Sequence, residues 1–293
     1  MTVNHSTRPV LLITGGSGYL GRHLAAKATE TFQVYATYSS HPTQIKAGEP
    51  VPLDLTRREM ALHLITELSP QTIIHTAAIN PGSGSSQEMW RVNIEGSRYV
   101  AEAAARVGAR LVHLSTDVVH NGRHAPYADN APPSPINDYG RSKATAEAVV
   151  AEINPQSVIV RTSLIYGLAE IDRGTAGFVD RLKSGRPLAL FSDVIRQPVW
   201  VDTLVEALLK LTQLEFAGIL NVAGRQALSR EEFGRKMLTW WGVDIVGLLQ
   251  SGRAAEISST IPLDLRMSVT KAEQLLQMMF PGTDEVLAMN SQA

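Results

Sequence analysis

The sequence predicts an α/β fold: a doubly wound parallel sheet with a smaller C-terminal lobe. Three observations predict it. First, Val10-Leu11-Leu12-Ile13 runs directly into Thr14-Gly15-Gly16-Ser17-Gly18-Tyr19-Leu20-Gly21 and then into the helix-forming stretch from Arg22 to Ala28, which reads as strand, glycine turn and helix. Second, strand-like and helix-like segments alternate as far as Thr162, the order that builds parallel strands joined by helices. Third, the strand segments are apolar almost throughout, as expected of strands covered on both faces.

The elements follow in chain order. Val10–Thr14 is the first strand and Tyr19–Thr31 the first helix, followed by a strand from Phe32 to Tyr38. Val51-Pro52-Leu53 is short, and its proline suits an edge. Arg57–Leu68 spaces Met60, Leu62, Leu64, Ile65 and Leu68 as an amphipathic helix does. Thr72–Thr76 is a strand, Met89–Val107 a long helix stopped by Gly108, and Arg110–Ser115 a strand. Tyr139–Ile153 is a helix and Ser157–Thr162 a strand.

Beyond Arg161 the rhythm changes, and Gly167, Gly174, Gly177 and Gly185 punctuate a polar stretch. Pro187–Phe191 and Ile195–Val201 read as short strands, Asp202–Leu211 as a helix and Ile219–Val222 as a strand. Ser229–Trp241 is a helix opened by Ser229 and Glu232 in capping-box spacing. Trp240-Trp241 is expected in the core or at the lobe interface rather than as a base-stacking platform. A dinucleotide-binding domain is expected over 1–165. A substrate lobe is expected over 166–293, with part of 195–223 returning to the first sheet. The Asn80–Ser86 loop is the most flexible-looking internal segment, Met1–Arg8 is polar, and Asn290–Ala293 is expected to fray.

Composition narrows the function classes. A chain of 293 residues can bury a large core. Its net charge of −1 gives no electrostatic footprint for nucleic acid or an anionic membrane surface. The absence of cysteine excludes disulfides, thiolate catalysis and cysteine metal sites. No apolar run approaches the roughly 18–20 residues that span a bilayer, and no signal-peptide core is present, so a cytoplasmic location is expected. The histidines are scattered and no pair has metal-ligand spacing on one element, so no metal is expected.

The chemistry begins at the glycine turn. Gly15 can make the tight bend, Gly18 lets backbone N–H groups approach a pyrophosphate, and Gly21 lets the helix pack closely. The start of that helix offers free N–H groups and a positive dipole end to phosphates, so Ser17, Tyr19 and Leu20 are cofactor-binding candidates with Gly15 and Gly18. The second strand ends in Ser39-Ser40-His41 with no acidic residue. An acid there would bind a ribose diol and repel a 2′-phosphate. Ser39 and His41 therefore favour NADP and leave NAD open.

Tyr139 and Lys143 stand four apart, on one face of a helix. A nearby ammonium would lower the phenol's pKa and let it exchange a proton with a carbonyl oxygen. Ser115-Thr116-Asp117 lies at the carboxyl end of a strand, where open α/β sheets bind ligands. A hydroxyl there can hold a carbonyl, and turn or cap roles suit the same residues.

Together these motifs resemble the extended short-chain dehydrogenase/reductase family. Thr14–Gly21 is similar to its glycine fingerprint, His75-Thr76-Ala77-Ala78 to its alanine motif beside the cofactor, and Asn93-Ile94-Glu95-Gly96 to its N-x-x-G segment. Ser115-Thr116-Asp117 with Tyr139-x-x-x-Lys143 is similar to its catalytic set, and Arg161–Gly167 to the strand entering its substrate lobe. Within the family, Ser115–Gly122, Pro126-Tyr127 and Pro133–Gly140 resemble the dTDP-4-dehydrorhamnose reductase group. Val118, His120-Asn121, the Asn80–Ser86 loop and the stretch from Pro262 to Lys271 depart from that group's pattern, all on the substrate side.

The resemblance implies a Rossmann-type fold and hydride transfer to a keto group on a nucleotide-linked sugar. Tyr139 would be the proton donor, Lys143 its activator and ribose anchor, and Thr116 the carbonyl partner. Asp54 and Leu55 would touch the adenine, with a capping role for Asp54 as the alternative, and Ala77 and Ala78 would line the cofactor. Asp117 and Arg196 are substrate-side candidates, Arg196 through its planar fork toward a diphosphate. The resemblance leaves room for a homodimer, for a sugar-nucleotide epimerase or dehydratase, and for a non-catalytic NADP-binding regulatory subunit like the β subunit of methionine adenosyltransferase.

Overall fold

The computed structural model describes residues 8–243 and 247–291, so expectations for residues 1–7 and 292–293 lie outside the described residues. Strands β1 (Val10–Thr14), β2 (Gln33–Tyr38), β3 (Glu49–Pro52), β4 (Thr72–His75), β5 (Arg110–Thr116) and β6 (Val158–Thr162) alternate with helices. The helices are α1 (Tyr19–Ala28), α2 (Arg58–Leu68), α3 (Ser86–Trp90), α4 (Ser97–Val107) and α5 (Asp138–Ile153). The C-terminal part holds β7 (Ile165–Tyr166), α6 (Arg173–Lys183), β8 (Leu188–Phe191), β9 (Ile195–Arg196), β10 (Val199–Trp200), α7 (Val201–Leu211) and β11 (Gly218–Val222). It closes with β12 (Leu228–Ser229), α8 (Arg230–Trp240), β13 (Leu249–Gly252), α9 (Thr270–Leu276) and α10 (Thr283–Asn290).

Seven strands form one parallel sheet in the order β11-β6-β5-β4-β1-β2-β3. β1 pairs with both β2 and β4, so the strand order reverses there. That reversal opens a crevice beyond the carboxyl ends of β1 and β4, the place where such sheets bind ligands. The crevice therefore lies at Thr14 and His75, where the glycine turn begins. Among the described residues no helix is long and apolar enough to cross a membrane.

The chain divides into two compact units that interleave in sequence rather than separating at a single cut. One takes the chain up to Ser115, then Arg141–Val160 and Val205–Ile219; the other takes Thr116–Gly140, Arg161–Leu204 and the chain from Leu220 onward. In the first, Leu12, Ile65, Ile73, Val100, Leu111 and Ile159 belong to one buried cluster between sheet and helices. In the second, Val179, Leu182 and Leu238 form one cluster and Tyr166, Met237 and Val286 another. Trp240 and Trp241, both half-buried, donate to the Leu168 carbonyl at 3.2 Å and pack against these clusters.

The structure departs from the sequence expectation at several elements. The first helix ends at Ala28 rather than Thr31. The long helix is interrupted by a π turn over Arg91–Gly96. The expected strand from Ile195 to Val201 is two short strands, because Pro198 cannot donate to a ladder. Neither joins the main sheet; β9 pairs with β12 and β10 with β7, and only β11 from this stretch lies at the sheet edge.

Helix α6 arises in the stretch that reads as polar and glycine-punctuated. Asp172 caps it by accepting from Gly174 N and Thr175 N, and Val179 and Leu182 bury its inner face. Asn290 does not fray but closes α10, its side chain donating to the Val286 carbonyl at 2.8 Å.

Candidate active site

In the first unit the glycine turn is held by steric necessity. Gly15 has φ +73°, and a Cβ on it would lie 2.8 Å from the Ala77 backbone. A Cβ on Gly21 would meet the Gly15 carbonyl oxygen at 2.2 Å, so Gly21 packs α1 against the turn itself. Gly16, which the spacing argument passed over, sits against Ala36 of β2, where a Cβ would come within 2.6 Å. Gly18 is different. It is exposed, it caps α1, and a Cβ there would meet only Gly15 O at 3.1 Å. The first turn of α1 has no acidic residue and no side-chain cap. A helix start of this kind turns backbone N–H groups toward an anion. This cradle fits a dinucleotide pyrophosphate.

Ala77 lies directly against Gly15, and Ala78 is half-buried beyond it. Asn93, wholly buried in the π turn, exchanges hydrogen bonds with Ile79 N (2.8 Å) and Ile79 O (3.1 Å), and donates to Ser142 Oγ at 3.0 Å. It thereby ties the segment after β4 to α5. Ser39 and His41 are exposed at the end of β2, with Ser40 Oγ 2.6 Å from His41 Nδ1. Leu55 is buried in the core cluster. Asp54 Oδ1 accepts from Thr56 N (2.9 Å) and Thr56 Oγ1 (2.7 Å), which closes a local turn; Arg57, not Asp54, caps α2.

Lys143 is 3% exposed, and its ammonium donates to the Leu114 carbonyl at 2.7 Å. Burial pulls its pKa down to about 8, against an upward pull from Glu147. Glu147 lies one helical turn on, is also buried, and accepts from Ser115 Oγ at 2.5 Å. The sequence reading missed this carboxylate, although Lys143-x-x-x-Glu147 is itself an i, i+4 ion-pair spacing. Two buried histidines share the surroundings. His75, held by Thr14 Oγ1 (2.6 Å) and Ser97 Oγ (3.0 Å), is pushed down to about 3 by burial and then by Lys143. His113 is driven well below its ordinary value by the same two causes.

In the second unit Thr116, Asp117, Tyr139 and Arg196 come together. Tyr139 is half-buried and hydrogen-bonded to Thr116. Its phenol is pushed up to about 12, by burial first and then by the Asp117 charge, against smaller opposing effects from Arg196 and Thr116. The expected phenol lowered by a neighbouring ammonium is therefore corrected: in this structure Tyr139 keeps its proton. Thr116 also accepts from Val118 N at 3.3 Å, so it caps the short turn after β5 as well.

Asp117 and Arg196, the substrate-side candidates, pair with each other. Arg196 Nε lies 2.7 Å from Asp117 Oδ2 and its NH2 2.5 Å from Oδ1, a two-pronged pair. Ser163 Oγ donates to Oδ2 at 2.7 Å. Asp117 is fully buried and Arg196 is 8% exposed, so each charge is committed to the other.

Comparison with known proteins bears on the whole chain. Residues 9–281 match the family model described as the RmlD substrate binding domain. A dTDP-4-dehydrorhamnose reductase of Aggregatibacter actinomycetemcomitans is 30% identical over 258 residues, covering 86% of this chain and 82% of that protein. The rat methionine adenosyltransferase 2 subunit beta is 32% identical over 173 residues, 57% of this chain and 50% of that one. The crystal structure of a dTDP-4-dehydrorhamnose reductase from Bacillus anthracis in complex with NADP superposes with a TM-score of 0.82 at 26% identity, covering 96% of this chain and 98% of that one.

Proposed function

The chain belongs to the family of the RmlD substrate binding domain, among the dTDP-4-dehydrorhamnose reductases and their relatives, and from that footing we propose how its residues divide the work. The reaction is NAD(P)H-dependent reduction of a keto group on a nucleotide-linked sugar. Gly15–Leu20 hold the cofactor pyrophosphate on the start of α1. Ser39 and His41 take the adenosine ribose, and the lack of an acid there favours NADPH. Ala77 and Ala78 line the cofactor, and Lys143 anchors its nicotinamide ribose. The reduced nicotinamide, when bound, supplies the hydride.

One observation carries the mechanism: Tyr139, which like any phenol keeps its proton at neutral pH, is hydrogen-bonded to Thr116. Thr116 holds the carbonyl oxygen, and Tyr139 gives that oxygen a proton as the carbon gains a hydride, leaving an alcohol. Asp117 and Arg196 position this pair rather than touch the substrate.

The test is NADPH oxidation by the purified protein with a panel of nucleotide-linked 4-keto-6-deoxyhexoses. Turnover with at least one is expected, and NADH should bind more weakly than NADPH. The similarity to the rat regulatory subunit supports a second reading, a cofactor-binding subunit without turnover. NADPH binding with no oxidation across the panel would favour it.

A further inference from the structure

In the second unit the loop that follows β5 carries a buried titratable group that the reaction does not use, His120, at one of the positions that depart from the reductase pattern. Thr116 stands just before this loop and Tyr139 just after it, so whatever fixes the loop bears on both reacting side chains. The His120 ring lies flat on Tyr127, with centroids 3.9 Å apart and planes 5° from parallel. Its edge faces Arg161 of β6, whose NH1 lies 3.5 Å from His120 Nε2. A guanidinium only donates, so Nε2 supplies the lone pair and the ring is neutral, with its proton on Nδ1. Among the described residues Nδ1 has no hydrogen-bond partner.

Both partners of the ring hold the loop. Arg161, also fully buried, donates to the Ala131 carbonyl at 2.9 Å and to the Asp129 carbonyl at 3.3 Å. Tyr127 OH accepts from Arg123 N (2.9 Å) and His124 N (3.1 Å) and donates to Asn121 Oδ1 (3.0 Å). The two ends of the loop are drawn together beside the ring. Ser134 N donates to the Val119 carbonyl at 2.8 Å, and a Cβ on Gly140 would lie 2.3 Å from the Val118 carbonyl oxygen. Gly140 follows Tyr139, and Val118 lies midway between Thr116 and His120, so the turn at His120 packs against both reacting residues' neighbours.

A second proton on this ring would be costly. It would remove the Nε2 lone pair and set an imidazolium N–H against a guanidinium N–H, two cations in a buried site. The other charged groups on the loop are engaged elsewhere. Asp117 is held by Arg196 and Ser163, and the Asp129 carboxylate accepts from Asn221 N of β11 at 2.6 Å. Arg123 and His124 are exposed and reach Tyr127 through their backbone. Burial first and Arg161 second push the imidazole down to about 4. We propose that His120 is a positioning residue and an acid switch: neutral, it clamps the loop between Tyr127 and Arg161 and so holds Thr116 and Tyr139 in place; protonated, it releases the loop and stops proton transfer. The catalytic half of this rests on the reductase reading, whereas release of the loop does not.

The experiment compares wild type with His120→Phe, which keeps a flat ring on Tyr127 and cannot gain a charge. Urea unfolding, hydrogen exchange of peptides covering 117–135, and kcat on a sugar nucleotide that wild type reduces are followed from pH 7.5 to pH 4. As pH falls from 6.5 toward 4, the released or unfolded chain takes up a proton that the clamped ring refuses, so stability is lost over that window. His75 and His113 act with the same sign in both proteins and cancel in the comparison. Between pH 7.5 and pH 5, the unfolding equilibrium constant and the loop's opening constant should each rise about 30-fold more in wild type than in His120→Phe. The acid limb of kcat should lie about one pH unit lower in the variant. At pH 7.5, His120→Ala should lose about 10- to 100-fold in kcat through misplacement of the reacting groups. NADPH affinity should stay near wild type, and His120→Phe should restore most of the rate. If His120→Ala does not fold, the phenylalanine variant alone decides.

Parallel pH profiles in wild type and His120→Phe would overturn the inference and leave the reductase reading intact. Divergent loop exchange with parallel kcat profiles would also overturn it, because the loop would then not position the reaction. If wild type reduces no sugar nucleotide, the reductase reading fails and the exchange comparison still decides the clamp. A loop that loosens in acid only in wild type supports it, and one that loosens equally in both proteins overturns it.

Discussion

Ser115 Oγ donates to Glu147 Oε1 at 2.5 Å, and both side chains are buried. Through this bond the end of β5 fixes a carboxylate one helical turn from Lys143, whose pKa burial lowers and Glu147 raises. The pKa of about 8 lies below the ordinary lysine value, so folding is penalised for holding this charge below pH 8. Stability from this group should rise as pH climbs from about 8 toward the unfolded value near 10.5. Glu147→Gln removes the upward pull, so Lys143 should lose its proton at lower pH. The alkaline limb of NADPH binding should move acidward by on the order of one pH unit, while Glu147→Asp should restore much of it. A pH series of dissociation constants checks this, and identical limbs in wild type and Glu147→Gln would count against the role.

The four glycines of the turn separate into structural and functional positions. A methyl at Gly21 would sit 2.2 Å from a backbone carbonyl, a contact only backbone movement can relieve. Gly21→Ala should therefore cost about 1–3 kcal/mol or more in stability, as overpacking does. Gly18→Ala meets a single atom at 3.1 Å on an exposed cap. It should melt near wild type yet bind NADPH at least about tenfold more weakly, since the backbone there is meant to approach a pyrophosphate. Denaturant melts paired with calorimetry separate the two effects.

Arg196 should behave as a structural cation. Arg196→Met leaves the Asp117 carboxylate buried, with the Ser163 and Thr116 hydroxyls as its remaining side-chain hydrogen-bond partners among the described residues. Breaking a buried pair in this way costs about 3–5 kcal/mol. Urea unfolding measures it, and a loss below about 1 kcal/mol would show that the pair is solvated in solution.

The sheet was legible because its signals are local. The apolar run at Val10–Ile13, the glycine turn and the stop at Gly108 each act through neighbours in sequence, and β1 and α4 end where those residues dictate. The motif residues were legible for the same reason, since Thr116 and Tyr139 stand at fixed offsets from recognisable elements. What escaped depends on distant partners. Asp117 and Arg196 are 79 residues apart, and nothing in either local sequence says that they neutralise each other. Helix α6 draws on Asp172 and on apolar contacts to Leu238 and Leu249, so its glycines masked it. The phenol's direction of shift was misread because burial, which composition does not reveal, outweighs the charges around it.

The central claim is that Tyr139 gives the proton, and kcat of Tyr139→Phe measures it most directly. The substitution removes one hydroxyl and little volume. On a sugar nucleotide that wild type reduces, kcat should fall about 10²–10⁴-fold, the range for losing a positioned general acid. The melting temperature and NADPH affinity should stay close to wild type. A Tyr139→Phe protein that folds, binds NADPH and reduces the sugar at the wild-type rate would contradict the account.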